Sequence, residues 1–142
     1  MNHSNVKLTV PFFMVTNMVK SLDFYVERLG FTIRDKWEPS GTIEWCRLEL
    51  DDATIMLQEY RLTPPVEKLG EGLSVYFICE DALTIYRDIV SRGVKPDEPF
   101  VGNHMWVVGM KDPDGYNILF ESATDVPEET LYSDWKRSAN IN

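Results

Sequence analysis

The stretch VVGMKDPDGYNILFES, residues 107–122, reads as a strand, a tight turn and a second strand. Gly115 tolerates the positive φ that such a turn demands, and Pro113 presets the chain ahead of it. Beyond the turn, Ile118, Phe120 and Ser122 alternate with Asn117, Leu119 and Glu121. One face of this strand is therefore apolar, and the other ends in a carboxylate.

Working outward from the hairpin, LSVYFICED reads as a strand and ALTIYRDIVSRG as a helix that Asp81 caps and Gly93 ends; HMWVVGMKD and YNILFES follow as strands. The same order stands earlier in the chain. VPFFMVTN is a strand, Asn17 is a helix cap, and Leu22, Tyr25, Val26 and Leu29 mark an amphipathic helix that stops at Gly30. FTIRDKWEP, IEWCRLELD and TIMLQEY then read as three strands, divided by Pro39-Ser40-Gly41 and Asp51-Asp52-Ala53. Aligning the halves sets Phe12-Phe13 against Tyr76-Phe77, Gly30 against Gly93, Asp51-Asp52 against Asp114-Gly115, and Gln58 against Glu121. The period is about 60 residues, the mark of an internal repeat. The expected division is one domain over 1–122, built of two βαβββ repeats at about 7–60 and 73–122, with RLTPPVEKLGEG (61–72) as linker and 123–142 as a C-terminal arm.

Composition bounds the function. At 142 residues the chain is of single-domain size, and 44% hydrophobic with 26% charged residues is an ordinary globular mixture. A formal charge of −9 and a pI near 4.6 disfavour nucleic acid and anionic membranes as partners and leave small molecules or proteins. The amino terminus makes a poor signal peptide, and no run approaches the roughly 20 apolar residues of a membrane span, so a cytoplasmic location is expected. Cys46 and Cys79 lie in strand-like runs without metal or redox spacing and read as buried free thiols.

SLDFYVERLGF in the first half and DPDGYNILFES in the second resemble the vicinal oxygen chelate superfamily: glyoxalases, extradiol dioxygenases, and the fosfomycin- and bleomycin-resistance proteins. The resemblance implies an α+β fold in which tandem βαβββ modules form curved mixed sheets around a cleft, often completed by a homodimer. It also implies a metal held by His, Gln or Glu side chains at four places that here look like Val10, Met56, Ser74 and Leu119. None of these is a usual ligand for an ion that needs hard nitrogen or oxygen donors, so no metal is expected among them, although all four are expected on the cleft floor.

Strand parity places Phe12, Met14, Met56, Gln58, Tyr76, Leu119 and Glu121 on the cleft face, with Trp45 and Trp106 as further candidates. Apolar walls with a few placed polar groups suit a small aromatic or amphipathic ligand. His104, just before a strand, is a candidate general base without a visible partner. DEPFVGN and DVPEETLYSDW read as a solvated loop and the terminal arm; the arm either packs across a dimer through Leu131, Tyr132 and Trp135 or lies loose. Three functions compete: a metal-free, homodimeric small-molecule binder; a metal-dependent lyase or dioxygenase of the glyoxalase type using Glu121, Gln58 and His104; and a non-catalytic dimerising module.

Overall fold

The repeat appears as two four-stranded sheets of the same topology. The computed structural model describes residues 5–64 and 68–139, so residues 65–67 of the expected linker lie outside the described residues. In the first half, β1 (Phe12–Val15) leads to helix α1 (Met18–Leu22), which continues as a π-helical segment (Asp23–Arg28). Then come β2 (Thr32–Trp37), β3 (Trp45–Leu50) and β4 (Ala53–Glu59). The second half holds β5 (Ser74–Ile78), α2 (Ala82–Ser91), β6 (Phe100–Gly102), β7 (Met105–Lys111) and β8 (Asn117–Ala123), and α3 (Tyr132–Ala139) follows it. The sheet orders are β1-β4-β3-β2 and β5-β8-β7-β6, with the first pair of each parallel and the rest antiparallel. This is a mixed-sheet α+β fold.

The register confirms the alignment of the halves. Phe12 sits opposite Met56 and Met14 opposite Gln58; Tyr76 sits opposite Leu119 and Ile78 opposite Glu121. The helix starts match as well. Asn17 Oδ1 accepts from the Lys20 amide at 3.1 Å and Asp81 Oδ1 from the Thr84 amide at 3.1 Å, satisfying helix donors that have no partner inside the helix. A side chain at the end of each module's last strand adds a second cap. Glu59 accepts from the Met18 amide at 2.6 Å, and Ser122 from the Ala82 amide at 2.8 Å.

The first helix departs from the expected stripe. The Leu29 amide bonds the Phe24 carbonyl at 2.9 Å, a five-residue step that widens the turn. Phe24 and Tyr25 are both buried as a result, while Leu22 and Val26 are only half-buried.

One face of each sheet carries the core. Phe13, Val15, Cys46, Leu48, Ile55 and Leu57 in the first module join Val108, Ile118 and Phe120 of the second in a single cluster. The modules meet through these helix-bearing faces and through the turn at 112–116. Asp112 is the centre of that junction: its Oδ1 accepts from the Asp114 and Tyr116 amides at 2.9 Å each, shaping the turn, and its Oδ2 accepts from the Tyr25 hydroxyl at 2.7 Å. Asp114 accepts from the Thr16 amide at 3.2 Å and from its hydroxyl. Tyr116 stacks on Phe13 with ring centroids 4.5 Å apart and donates its hydroxyl to the Met14 carbonyl at 2.8 Å. At the helix ends the tie is reciprocal, Arg28 donating to the Arg92 carbonyl at 3.0 Å and Arg92 to the Arg28 carbonyl at 3.2 Å. The turn chemistry of the opening stretch thus joins the two halves.

Two expectations need correction. DEPFVGN is not only loop, since Phe100–Gly102 is a strand against β7. The arm is not loose either. Its backbone pairs with β6 through Val101 to Thr130 at 3.0 Å and Glu129 to Val101 at 2.8 Å, and Tyr132 packs on Tyr86 with centroids 5.0 Å apart. The aromatic residues of α3 find cover within their own chain.

Candidate functional site

With the helix-bearing faces packed, each sheet keeps an open face. Alternation and register assign it residue by residue. On the first sheet, Phe12, Met56 and Arg47 form one row and Met14, Gln58, Trp45 and Trp37 the next. On the second, Tyr76, Leu119 and Gly109 form a row beside Ile78, Glu121, Val107 and Phe100. Phe12, Tyr76 and Ile78 remain 46%, 51% and 67% exposed, unusual for large apolar side chains in a region of regular structure.

Eight of the nine expected ligand-binding residues, namely Phe12, Met14, Trp45, Met56, Gln58, Tyr76, Leu119 and Glu121, lie on these open faces. Trp106 does not. It pairs with Ser122 and Val101 on the opposite face, is 4% exposed, and packs edge-on to Trp135 of α3 with centroids 5.5 Å apart. The four expected floor positions are also divided. Met56 lies on the first sheet and Val10 precedes β1, while Ser74 and Leu119 share a cavity of about 300 Å³ on the second sheet with Gly109, Lys111 and Asn117. Among the described residues, neither this cavity nor four larger ones, of 390 to 690 Å³, is lined by residues of both open faces. His104 lies elsewhere, exposed on the β6–β7 turn with φ of 63°, its amide donating to Glu128 at 2.6 Å.

The open faces carry polar groups as well, Asp35 and Glu49 near Arg47 on the first sheet and Ser74, Lys111 and Asn117 on the second. Gln58 and Glu121 occupy equivalent registers, and among the described residues neither side chain has a hydrogen bond within the chain. Arg47, which sequence reasoning passed over, lies beside Met56 on the first sheet. Its Nη2 approaches Glu49 at 3.4 Å, but its Nε is buried without a partner. The enclosed Nε is out of reach of a ligand, while the side chain as a whole is 39% exposed. The alternation Trp45, Arg47, Glu49 was the available signal.

The side chains at the family's metal positions are poor donors for a divalent ion. The family positions carry an aliphatic, a thioether, a hydroxyl and an aliphatic side chain, and among the described residues no group of three His, Cys, Asp or Glu side chains converges to hold an ion. The thiols are not substitutes. Burial pushes the Cys46 thiol up to about 11 and also raises that of Cys79.

The family profile for the Glyoxalase/Bleomycin resistance protein/Dioxygenase superfamily matches residues 7–120. The chain belongs to this superfamily. Among solved members of the glyoxalase-like fold, UcmS2 superposes with a TM-score of 0.68 at 16% identity, covering 83% of this chain and 98% of its own. TnmS3, an antibiotic binding protein from Streptomyces sp. CB03234, gives 0.66 at 22% identity over 86% of this chain and 100% of its own. A putative glyoxalase family protein from Bacillus anthracis gives 0.64 at 13% identity, over 86% and 100%. At these identities the likeness is one of fold. No curated protein matches the sequence. Among the described residues, no helix is long and apolar enough to cross a membrane.

Proposed function

We propose that this superfamily member is a cytoplasmic homodimer that binds a small aromatic or amphipathic molecule without a metal. The observation that carries the reading is the matched pair of open faces: Phe12 with Tyr76, Met14 with Ile78 and Met56 with Leu119 supply apolar wall at equivalent registers, and Gln58 with Glu121 supplies a polar pair. Each face is half of a pocket, and a second copy supplies the other half while covering the exposed aromatic side chains. The partly exposed guanidinium of Arg47 adds a donor for a ligand carbonyl, phenolate or carboxylate. The antibiotic-binding description of TnmS3 supports a bound drug-like molecule as the ligand class. The charge of −9 supports the exclusion of nucleic acid.

The test has two arms on protein purified without chelator. Sedimentation at micromolar concentration is expected to give a dimer. A thermal-shift screen of aromatic antibiotics and related amphipathic molecules is expected to give at least one hit, since ligand at 100 times Kd stabilises by about 2.7 kcal/mol. A monomer throughout, or a stoichiometric first-row metal on the open faces, overturns the reading.

A further inference from the structure

Beside the first module's helix, a groove of about 690 Å³ runs between the π-helical segment and β7 and meets the second sheet's cavity at Met110 and Lys111. That volume is in the range of small-molecule sites. Its floor is apolar, formed by the outer surfaces of Phe24, Val94 and Met110, which are otherwise buried. The wide turn at Asp23–Arg28 creates this floor, because it directs Phe24 beside the groove while Tyr25 enters the core. Val19, at the groove's edge, is 79% exposed and contributes nothing to the core.

The rim is what sets the ligand's charge. Lys20, Arg28, Lys95 and Lys111 line the groove against a single carboxylate, Asp23, in a chain whose net charge is −9. Asp23 is paired with Arg28 at 2.8 Å, and Lys111 Nζ donates to the neutral Asn117 Oδ1 at 2.7 Å. Among the described residues, Lys20 and Lys95 form no ion pair. A cationic rim over an aromatic and aliphatic floor complements a molecule with an apolar body and one anionic group, and opposes a cationic or doubly polar one.

We infer that this groove is a second binding site, for a small amphipathic organic anion such as an aromatic carboxylate. Apart from Met110 and Lys111 its lining is distinct from the open-face cavity, and it does not depend on dimerisation, since one chain supplies every lining residue.

The probe is 1-naphthoate, with 1-naphthamide as its uncharged counterpart, added to isotopically labelled full-length protein and followed by amide chemical shifts. Naphthoate is expected to shift Val19, Val94 and Met110 with saturation, and naphthamide to bind at least tenfold more weakly. The double variant Lys20→Gln/Lys95→Gln, which changes two exposed side chains outside the core, is expected to weaken naphthoate at least tenfold with an unchanged melting temperature. Glu121→Gln and Arg47→Gln are expected to leave the groove shifts intact, which separates this site from the open faces. No saturable shift up to millimolar naphthoate, shifts confined to open-face residues, or equal affinity in the lysine double variant overturns the inference.

Discussion

Removing one oxygen in Tyr25→Phe tests the junction between the halves. Tyr25 is fully buried and Asp112 is 5% exposed, so neither group exchanges its partner for bulk water in the folded state. Burial raises the tyrosine's ionisation far above its usual range, and the Asp112 charge adds to this; the hydroxyl is therefore a firm proton donor. A hydrogen bond to a charged acceptor contributes about 1.5 to 3 kcal/mol, and here the variant also leaves Asp112 Oδ2 buried without this donor. The expected loss is toward the upper end, about 2 to 3 kcal/mol, or about 6 to 12 °C in melting temperature for a chain of this size. Tyr116→Phe is the internal comparison. Its hydroxyl meets a neutral carbonyl, Met14, at 2.8 Å, so its loss is expected to cost only about 0.5 to 1.5 kcal/mol. Urea unfolding of the three proteins measures both, with equal m-values confirming that midpoints report stability. A Tyr25→Phe cost below about 0.5 kcal/mol, or one no larger than that of Tyr116→Phe, refutes the assignment of Asp112 as the charged centre of the junction.

Glu121→Gln is expected to keep the wild-type melting temperature, because no intrachain hydrogen bond depends on its side chain, while weakening the best open-face ligand by about 1 to 3 kcal/mol in titration calorimetry; unchanged affinity removes Glu121 from the site. Asp81→Ala is expected to cost about 1 kcal/mol at neutral pH. Hydrogen bonds from Thr84 hold the Asp81 carboxyl below its usual range, so the cap's stabilisation is complete above the ordinary carboxylate range and declines as pH falls through the folded value. The gap between variant and wild type in urea midpoints should therefore narrow at acid pH, and a constant gap down to pH about 3 counts against this. Asp112 acts in the opposite sense: desolvation raises its carboxyl, so this group favours the folded state as pH falls. Finally, Cys46 is buried with its thiol pushed up to about 11, so a Cys79→Ser variant is expected to stay inert to Ellman's reagent until denatured. Reaction of the native variant within minutes contradicts the packing.

The repeat, the caps and the open faces were legible because each rests on local pattern. Asn17 and Asp81 stand one residue before their helices, and Phe12, Met14, Met56, Gln58 and Glu121 alternate with residues of the core face. Trp106 was misread because Met105, Trp106, Val107 and Val108 are apolar on both faces, so alternation carries no information there; what covers Trp106 is α3, some 30 residues on. β6 has three residues, too few for a period, and it gains its second partner from an arm that reads as polar. The π-helical turn has no sequence signature of its own, yet it decides that Phe24 joins Tyr25 among the buried residues. Arg47 carries no sequence signal of its buried Nε, because a charged residue in a strand usually faces solvent.

The bonds at the 112–116 turn span 87, 98 and 102 residues. Proteins made on ribosomes commonly complete their amino-terminal portions first. Here polar groups of the first module meet their partners only in the second. When the first module has been synthesised, Tyr25, Thr16 and the Met14 carbonyl still lack the partners that the 112–116 turn supplies. The duplicated architecture is thus two halves in space that depend on one turn, and the first half is complete only once residues 112–116 have been made. A release of the nascent chain before Tyr116 would yield an unfinished first half rather than a small folded protein.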